Sequence, residues 1–182
     1  MRDVRGMKLA VVAHCIMNQN TVAPGLASHR GAVEAFVKLL VEKGYGILQL
    51  PCPEATYLGM KRWWMTKNQY DSTGYRSHCR RILEPTLVTL EELTKTGAEY
   101  IVIGVKGSPS CGIYTTTTGE WQGDPSKATE VKTAKSPGMG VFMEEFFGQI
   151  KARGIKRPLK TLDIDHEEIS RKGLPKELTE EI

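Results

Sequence analysis

Three short apolar runs, each ending in a turn that carries a cysteine, constrain this chain more than any other feature. Lys8-Leu-Ala-Val-Val-Ala13 precedes Cys15, Gly46-Ile-Leu-Gln-Leu50 precedes Cys52, and Tyr100-Ile-Val-Ile-Gly-Val105 precedes Gly107-Ser-Pro-Ser-Cys-Gly112. Runs of this length and branching read as buried strands, and the Gly, Ser and Pro that follow read as tight turns. Helical periodicity lies between them. From Ser28 to Lys43, Val33, Phe36, Val37, Leu40 and Val41 share one face, with Gly44 as the stop. From Thr73 to Lys95, Cys79, Ile82, Leu83, Leu87 and Leu90 share another, and Pro85 within it predicts a kink or a break. With Leu159 to Ile164 as a further strand, the alternation predicts a three-layer, Rossmann-like α/β fold with a mostly parallel sheet of about four strands. Right-handed crossovers then bring all three cysteine-bearing turns to one sheet edge, where open parallel sheets bind ligands.

The remaining stretches are less regular. Residues 53–74, with Trp63-Trp64, read as an irregular connection, and 115–135 as a long polar loop holding four threonines and Trp121. Ser136-Pro137 has the form of a helix start, with Met139, Phe142, Met143, Phe146 and Ile150 lining the face that follows. The acidic remainder, 166–182, reads as a short helix and a surface tail. The 182 residues are expected to form a single domain over 1–182. No apolar run approaches the ~20 residues that span a bilayer, and Met1 to Met7 lacks the apolar core of a secretory signal. The expectation is a cytoplasmic protein with no membrane partner. Its net charge of +4 suits an anionic or nucleotide-like ligand, without predicting a stable nucleic-acid complex. Whether the chain pairs as a homodimer is left open.

Four cysteines in a reducing compartment point to metal ligands or catalytic thiols rather than bridges. Cys79, on an apolar helix face, reads as a small core residue. The other three are candidate ligands. Structural zinc usually draws on closely paired cysteines, and none of these is paired in that way. A thiol–disulfide switch needs two and leaves the third unexplained. An iron–sulfur cluster accepts thiolates from separate loops, and three cysteines on a cubane [4Fe–4S] cluster leave one iron open as a Lewis acid. That reading fits best; a zinc or thiol protein without iron remains the alternative. In Pro51-Cys52-Pro53-Glu54 a carboxylate follows a thiolate by two residues, and Glu54 is the candidate general acid or base. Ser108 and Ser110 are candidate hydrogen-bond donors to substrate or cluster sulfur, as well as turn formers. His14 is read as a packing residue whose side chain points away from the site. Trp63, Trp64 and Trp121 offer stacking faces for a base, and Lys61, Arg62, Lys67, Arg76, Arg80 and Arg81 outnumber Asp71 in a region that could hold a phosphate.

Cys15 after the first strand, Pro51-Cys-Pro-Glu54, and Gly107-Ser-Pro-Ser-Cys-Gly112 after Ile101-Val-Ile-Gly-Val105 together resemble the thiouracil desulfurase (TudS) family. The resemblance covers about residues 8 to 113. It implies a [4Fe–4S] cluster held by Cys15, Cys52 and Cys111 and a substrate sulfur bound at the fourth iron. Water then replaces that sulfur at carbon, with Glu54 as the acid–base residue and Ser108 or Ser110 as a polar partner. The implied partner is a small thiolated compound, a nucleobase or a nucleotide. One departure stands out: the family commonly carries an Asp shortly after the first cysteine, whereas Ile16 to Val33 holds no acidic residue and has Asn18 and Asn20 instead. Either Glu54 works alone, or the substrate or the reaction differs. A non-catalytic iron–sulfur binding or sensing module is the competing reading.

Overall fold

In the computed structural model, which describes residues 2–120 and 124–182, the three apolar runs before the cysteines form strands, and three further strands follow them. These are β1 (Lys8–Val12), β2 (Gly46–Gln49), β3 (Glu99–Val105), β4 (Thr115–Thr118), β5 (Ala134–Pro137) and β6 (Lys160–Ile164). Four of them make an all-parallel sheet in the order β2-β1-β3-β6, while β4 and β5 pair as a separate antiparallel ribbon. Strand β3 is buried at every position after Glu99, as its unbroken apolar sequence requires of a central parallel strand. The chain steps outward from β1 to β2 and then returns past β1 to β3. The gap between β1 and β3 is therefore the point where strand order reverses.

Helices α1 (His14–Met17), α2 (Glu34–Glu42), α3 (Pro53–Leu58), α4 (Lys67–Tyr70), α5 (Thr73–Lys95), α6 (Val141–Ala152), α7 (His166–Lys172) and α8 (Lys176–Glu181) fill the connections. Because the crossover direction reverses at β1, right-handed connections put α2 on one face and α5 with α6 on the other. Helices α5 and α6 pack together, which completes a Rossmann-like three-layer α/β fold. Phe36 and Leu40 of α2, Leu83, Leu87 and Leu90 of α5, and Phe142 and Phe146 of α6 close over Val12, Val102 and Ile103 in one core.

Several local expectations are corrected. Helix α2 begins at Glu34 rather than Ser28, because tertiary contacts claim the residues before it: Ser28 N donates to Gln19 Oε1 (3.0 Å) and Gln19 N to the Gly31 carbonyl (2.7 Å). Helix α5 runs unbroken through Pro85. Pro85 and Arg81, whose carbonyl loses its helical donor, are both exposed residues, which places the break in the helical ladder on the solvent side of α5. The 53–74 stretch contains α3 and α4, the first with Pro53 at its opening position and the second with a Thr66–Gln69 capping box. The polar threonines form β4 against β5, and Ser136-Pro137 ends β5 instead of starting a helix. The acidic remainder forms α7 and α8, with Leu174, Leu178 and Ile182 packed on the core. Among the described residues no helix is long and apolar enough to cross a membrane.

Helix α6 opens at Gly140 without a side-chain cap. Its first N–H groups instead donate to the loop after β3: Val141 N to the Pro109 carbonyl (3.0 Å), and Phe142 N and Met143 N to that of Ser110 (3.0 and 3.2 Å). Helix-terminal donors with no intrahelical partner are thus satisfied by the cysteine-bearing turn itself. The approach is so close that a methyl group at Gly140 would collide with the Ser110 and Pro109 backbone. Gly140→Ala is therefore expected to destabilise the chain by about 1–3 kcal/mol. Gly148→Ala, at an exposed α6 position with open space around it, should gain about 0.5–1 kcal/mol. Urea unfolding of the two variants checks the contrast.

Candidate active site

The three candidate thiols come from three elements. Cys15 lies in α1, directly after β1; Cys52 is the N-cap of α3, after β2; Cys111 lies in the turn after β3. All three line one cavity of about 480 Å³ at the carboxyl edge of the sheet, with Glu54, Ser108 and Trp64. None is in a disulfide. Strand β1 ends at Val12, so His14 sits in α1, its Nδ1 3.1 Å from the Leu50 carbonyl, and it lines the same cavity rather than turning away from it. Cys79 is fully buried in the core and is not part of the cavity wall.

Burial pushes the Cys15 thiol up to about 12, reinforced by the negative charges of Cys52 and Glu54. Cys111 is raised well above its ordinary value, by burial and then by Cys15, Cys52 and Glu54. Cys52 is raised by burial and partly relieved by the Ala55 N–H that its Sγ accepts at 3.4 Å. Three crowded thiols of this kind are neutral on their own, and a cationic centre is what would deprotonate them. Among the described residues no group of three or more His, Cys, Asp or Glu closes around a point where one metal ion would sit, which is not the arrangement of structural zinc. The thiols surround a cavity instead. A donor set of three separately anchored cysteines fits a polynuclear centre, in which each thiolate takes a different iron.

The turn that presents Cys111 is fixed from both sides. Ser108 Oγ accepts from Cys111 N (3.0 Å) and Ser110 N (3.3 Å). The Asp163 carboxylate, from β6, accepts from Ile113 N and Tyr114 N, each at 2.9 Å. Burial raises the Asp163 carboxyl and those N–H groups oppose the rise.

Glu54 stands at the cavity wall, its side chain 17% exposed, paired with an Arg62 side chain that is only 3% exposed. Arg62 Nε donates to Oε2 at 3.2 Å and Ser110 Oγ to Oε1 at 2.7 Å. The Tyr70 hydroxyl also faces the pair, and the Tyr75 hydroxyl is 2.9 Å from Ser110 Oγ. Burial, then the Glu54 charge, holds both phenols far above their ordinary range, so both remain donors. Ser110 is wholly buried and Ser108 reaches the cavity.

Sequence reading missed Arg62, Tyr70, Tyr75 and Asp163 as parts of this assembly. Arg62 reads in the sequence as one of the cations available to a phosphate, and three of the others are engaged with acids. Arg76 pairs with Asp71, Glu144 and Glu145, Lys67 with Glu144, and Arg80 with Glu145. Trp64 lines the cavity and Trp63 is 61% exposed; Trp121 lies outside the described residues. Asn18 Oδ1 accepts from Asn20 N as the cap of a short 3-10 turn.

The sequence profile of the family described as "Putative 2-thiouracil desulfurase" matches residues 7–146. The chain is 36% identical over 152 residues to an uncharacterized protein of Methanocaldococcus jannaschii, covering 84% of this chain and 83% of that one. Among solved structures it is similar to a [4Fe–4S]-dependent thiouracil desulfidase, TudS, with a TM-score of 0.48 and 18% identity over 86% of this chain and 90% of the other.

The buried pairing of Glu54 with Arg62 makes a stability prediction. Removing one partner leaves a charge that solvent cannot fully repay. Arg62→Met is expected to cost about 3 kcal/mol, and adding Glu54→Gln should recover part of that, with a coupling of about 1 kcal/mol or more. Strictly additive losses in urea unfolding would contradict the pairing.

Proposed function

The chain belongs to the 2-thiouracil desulfurase family, and from that membership we propose that it is an iron–sulfur-dependent desulfidase. Its reaction replaces C=S by C=O in a small thiolated compound, a thiouracil-like nucleobase or nucleotide. The observation that carries this reading is the convergence of Cys15, Cys52, Cys111 and Glu54 on one cavity. Held by the three cysteines, a [4Fe–4S] cluster supplies one iron without a protein ligand, a Lewis acid for the substrate's sulfur. The overall change needs no external oxidant or reductant. Water provides the oxygen of the new carbonyl, the carbon–sulfur bond breaks, and the sulfur departs as sulfide with the protons of that water.

The chain's own residues handle the protons and the orientation. A carboxylate offers about four acceptor positions. Ser110 and Arg62 occupy two, and Glu54, which lines the cavity, keeps capacity to accept from a guest there. There it accepts a proton from water as the water's oxygen adds to carbon, and gives it up as the sulfur leaves. Ser108 Oγ accepts two backbone N–H bonds, so its own proton is free to donate to a ring oxygen or nitrogen of the substrate. Trp64 gives the ring an aromatic wall, and Lys106 and Lys135 line the same cavity together with Glu54 and Glu167, so charges of both signs face the guest.

Glu54→Gln tests the reading. It is expected to keep the iron and labile sulfide of the parent while sulfide release from a panel of thiolated bases, nucleosides and nucleotides falls by about 10²-fold or more. Release at the parent rate would remove Glu54 from the chemistry. If the parent turns over no member of the panel and none perturbs its visible absorption, the desulfidase reading fails and a sensing module replaces it.

A further inference from the structure

The wall behind Glu54 holds a group that the chemistry above does not use. Ser110 Oγ lies between Glu54 Oε1 at 2.7 Å and the Tyr75 hydroxyl at 2.9 Å. Ser110 is 0% and Tyr75 1% exposed, so no bulk water competes for either hydroxyl. We infer that Tyr75 is a positioning residue for the reaction: it acts through Ser110 to fix the Glu54 carboxylate against the cavity.

The direction of the chain follows from donor and acceptor chemistry. An ionised carboxylate only accepts, so the single Ser110 proton points at Glu54. The Ser110 oxygen then presents a lone pair to Tyr75, whose phenol donates to it. Without that phenol a buried lone pair of the Ser110 oxygen goes unpaired and the oxygen loses one of the two contacts that fix its place, so the hydroxyl that holds Glu54 Oε1 is free to shift. Tyr75 is well placed to impose order. Its N–H is bound to Ser72 Oγ, the N-cap of α5 (3.3 Å), and its ring packs against those of Tyr57 and Tyr70, with centroids 5.3 and 4.9 Å away. A hydroxyl carried on a packed helix start holds its partner more tightly than one on a free loop. Tyr75 itself does not line the cavity, so it contacts no substrate.

This inference rests on Glu54 being the proton-transfer group, and the test separates the two ideas. Tyr75→Phe keeps the ring and removes only the hydroxyl. In the cluster-loaded enzyme it is expected to lower kcat about tenfold, the scale of one orienting hydrogen bond, with KM and the iron and sulfide content unchanged. Ser110→Ala should do the same, and the double variant should be no worse than Ser110→Ala alone, because both changes cut one chain. Wild-type kcat in Tyr75→Phe, or losses that multiply in the double variant, would overturn the assignment. A second readout needs no turnover. In the cluster-free chain carrying ¹³Cζ-tyrosine, the Tyr75 resonance, assigned by its absence in Tyr75→Phe, is expected to move in Glu54→Gln by clearly more than it does when the same change is made in Ser110→Ala, where only the Glu54 charge reaches it. If the parent processes no thiolated compound but this shift occurs, the desulfidase reading fails and the chain of hydroxyls stands. A resonance that is unmoved, or moves no further than in the Ser110→Ala background, overturns the chain itself.

Discussion

Parallel pairing of β1 with β3 is the interaction on which the rest of the molecule depends. Its register sets Val12 beside Ile103, so both strands reach the same edge together. The ladder extends one step further on each side of β1, with Ala13 N donating to the Ile103 carbonyl (3.0 Å) and Leu50 N to that of Val12 (2.8 Å). Three segments distant in sequence are therefore released within one small region, at the point where strand order reverses. Cys15, Cys52 and Cys111 follow within a few residues of those strand ends. A one-residue slip of β3 would turn its side chains to the opposite face and displace the third cysteine.

Around that edge, backbone groups that would otherwise be unpaired are used to hold the site. The first turn of α6 donates to the carbonyls of Pro109 and Ser110, and Asp163 receives the N–H groups just beyond Cys111. Cys52 caps α3, the helix that carries Glu54 in its first turn. The candidate ligands and the candidate base are thus built into helix ends and strand ends. Preorganisation of this kind lets a carboxylate meet a guest with its orientation already fixed by its other contacts.

How much of this was legible in the sequence depended on the distance over which the deciding interactions act. Strands β1 and β3 were readable because short, largely apolar runs suit little besides a buried strand; β2, read as buried, is an edge strand with no fully buried residue, and the shared edge followed from topology rules. Cys79 was separable from the other three by its place on an apolar helix face. Helix starts were less readable: Ser28 and Ser136-Pro137 carry good local signals, but Gln19 claims the first and β4 pairs with the second. Arg62 could not be told from its cationic neighbours, since nothing in the chain order shows that Lys67, Arg76 and Arg80 meet acids on α6 while Arg62 meets one on α3. Tyr75 resembles any core aromatic until the Ser110 hydroxyl is seen beside it. Nothing in the order of residues marks that meeting.

The central claim is that three thiols, and not the fourth, hold one iron–sulfur centre. Iron and labile sulfide per chain, measured after anaerobic purification of the parent and of the four single Cys→Ser variants, test it most directly. The parent and Cys79→Ser are expected to be brown, with iron and sulfide in near-equal amounts, and Cys15→Ser, Cys52→Ser and Cys111→Ser to lose most of both. A colourless parent carrying one zinc, or loss of the centre in Cys79→Ser with retention in Cys15→Ser, would contradict the account.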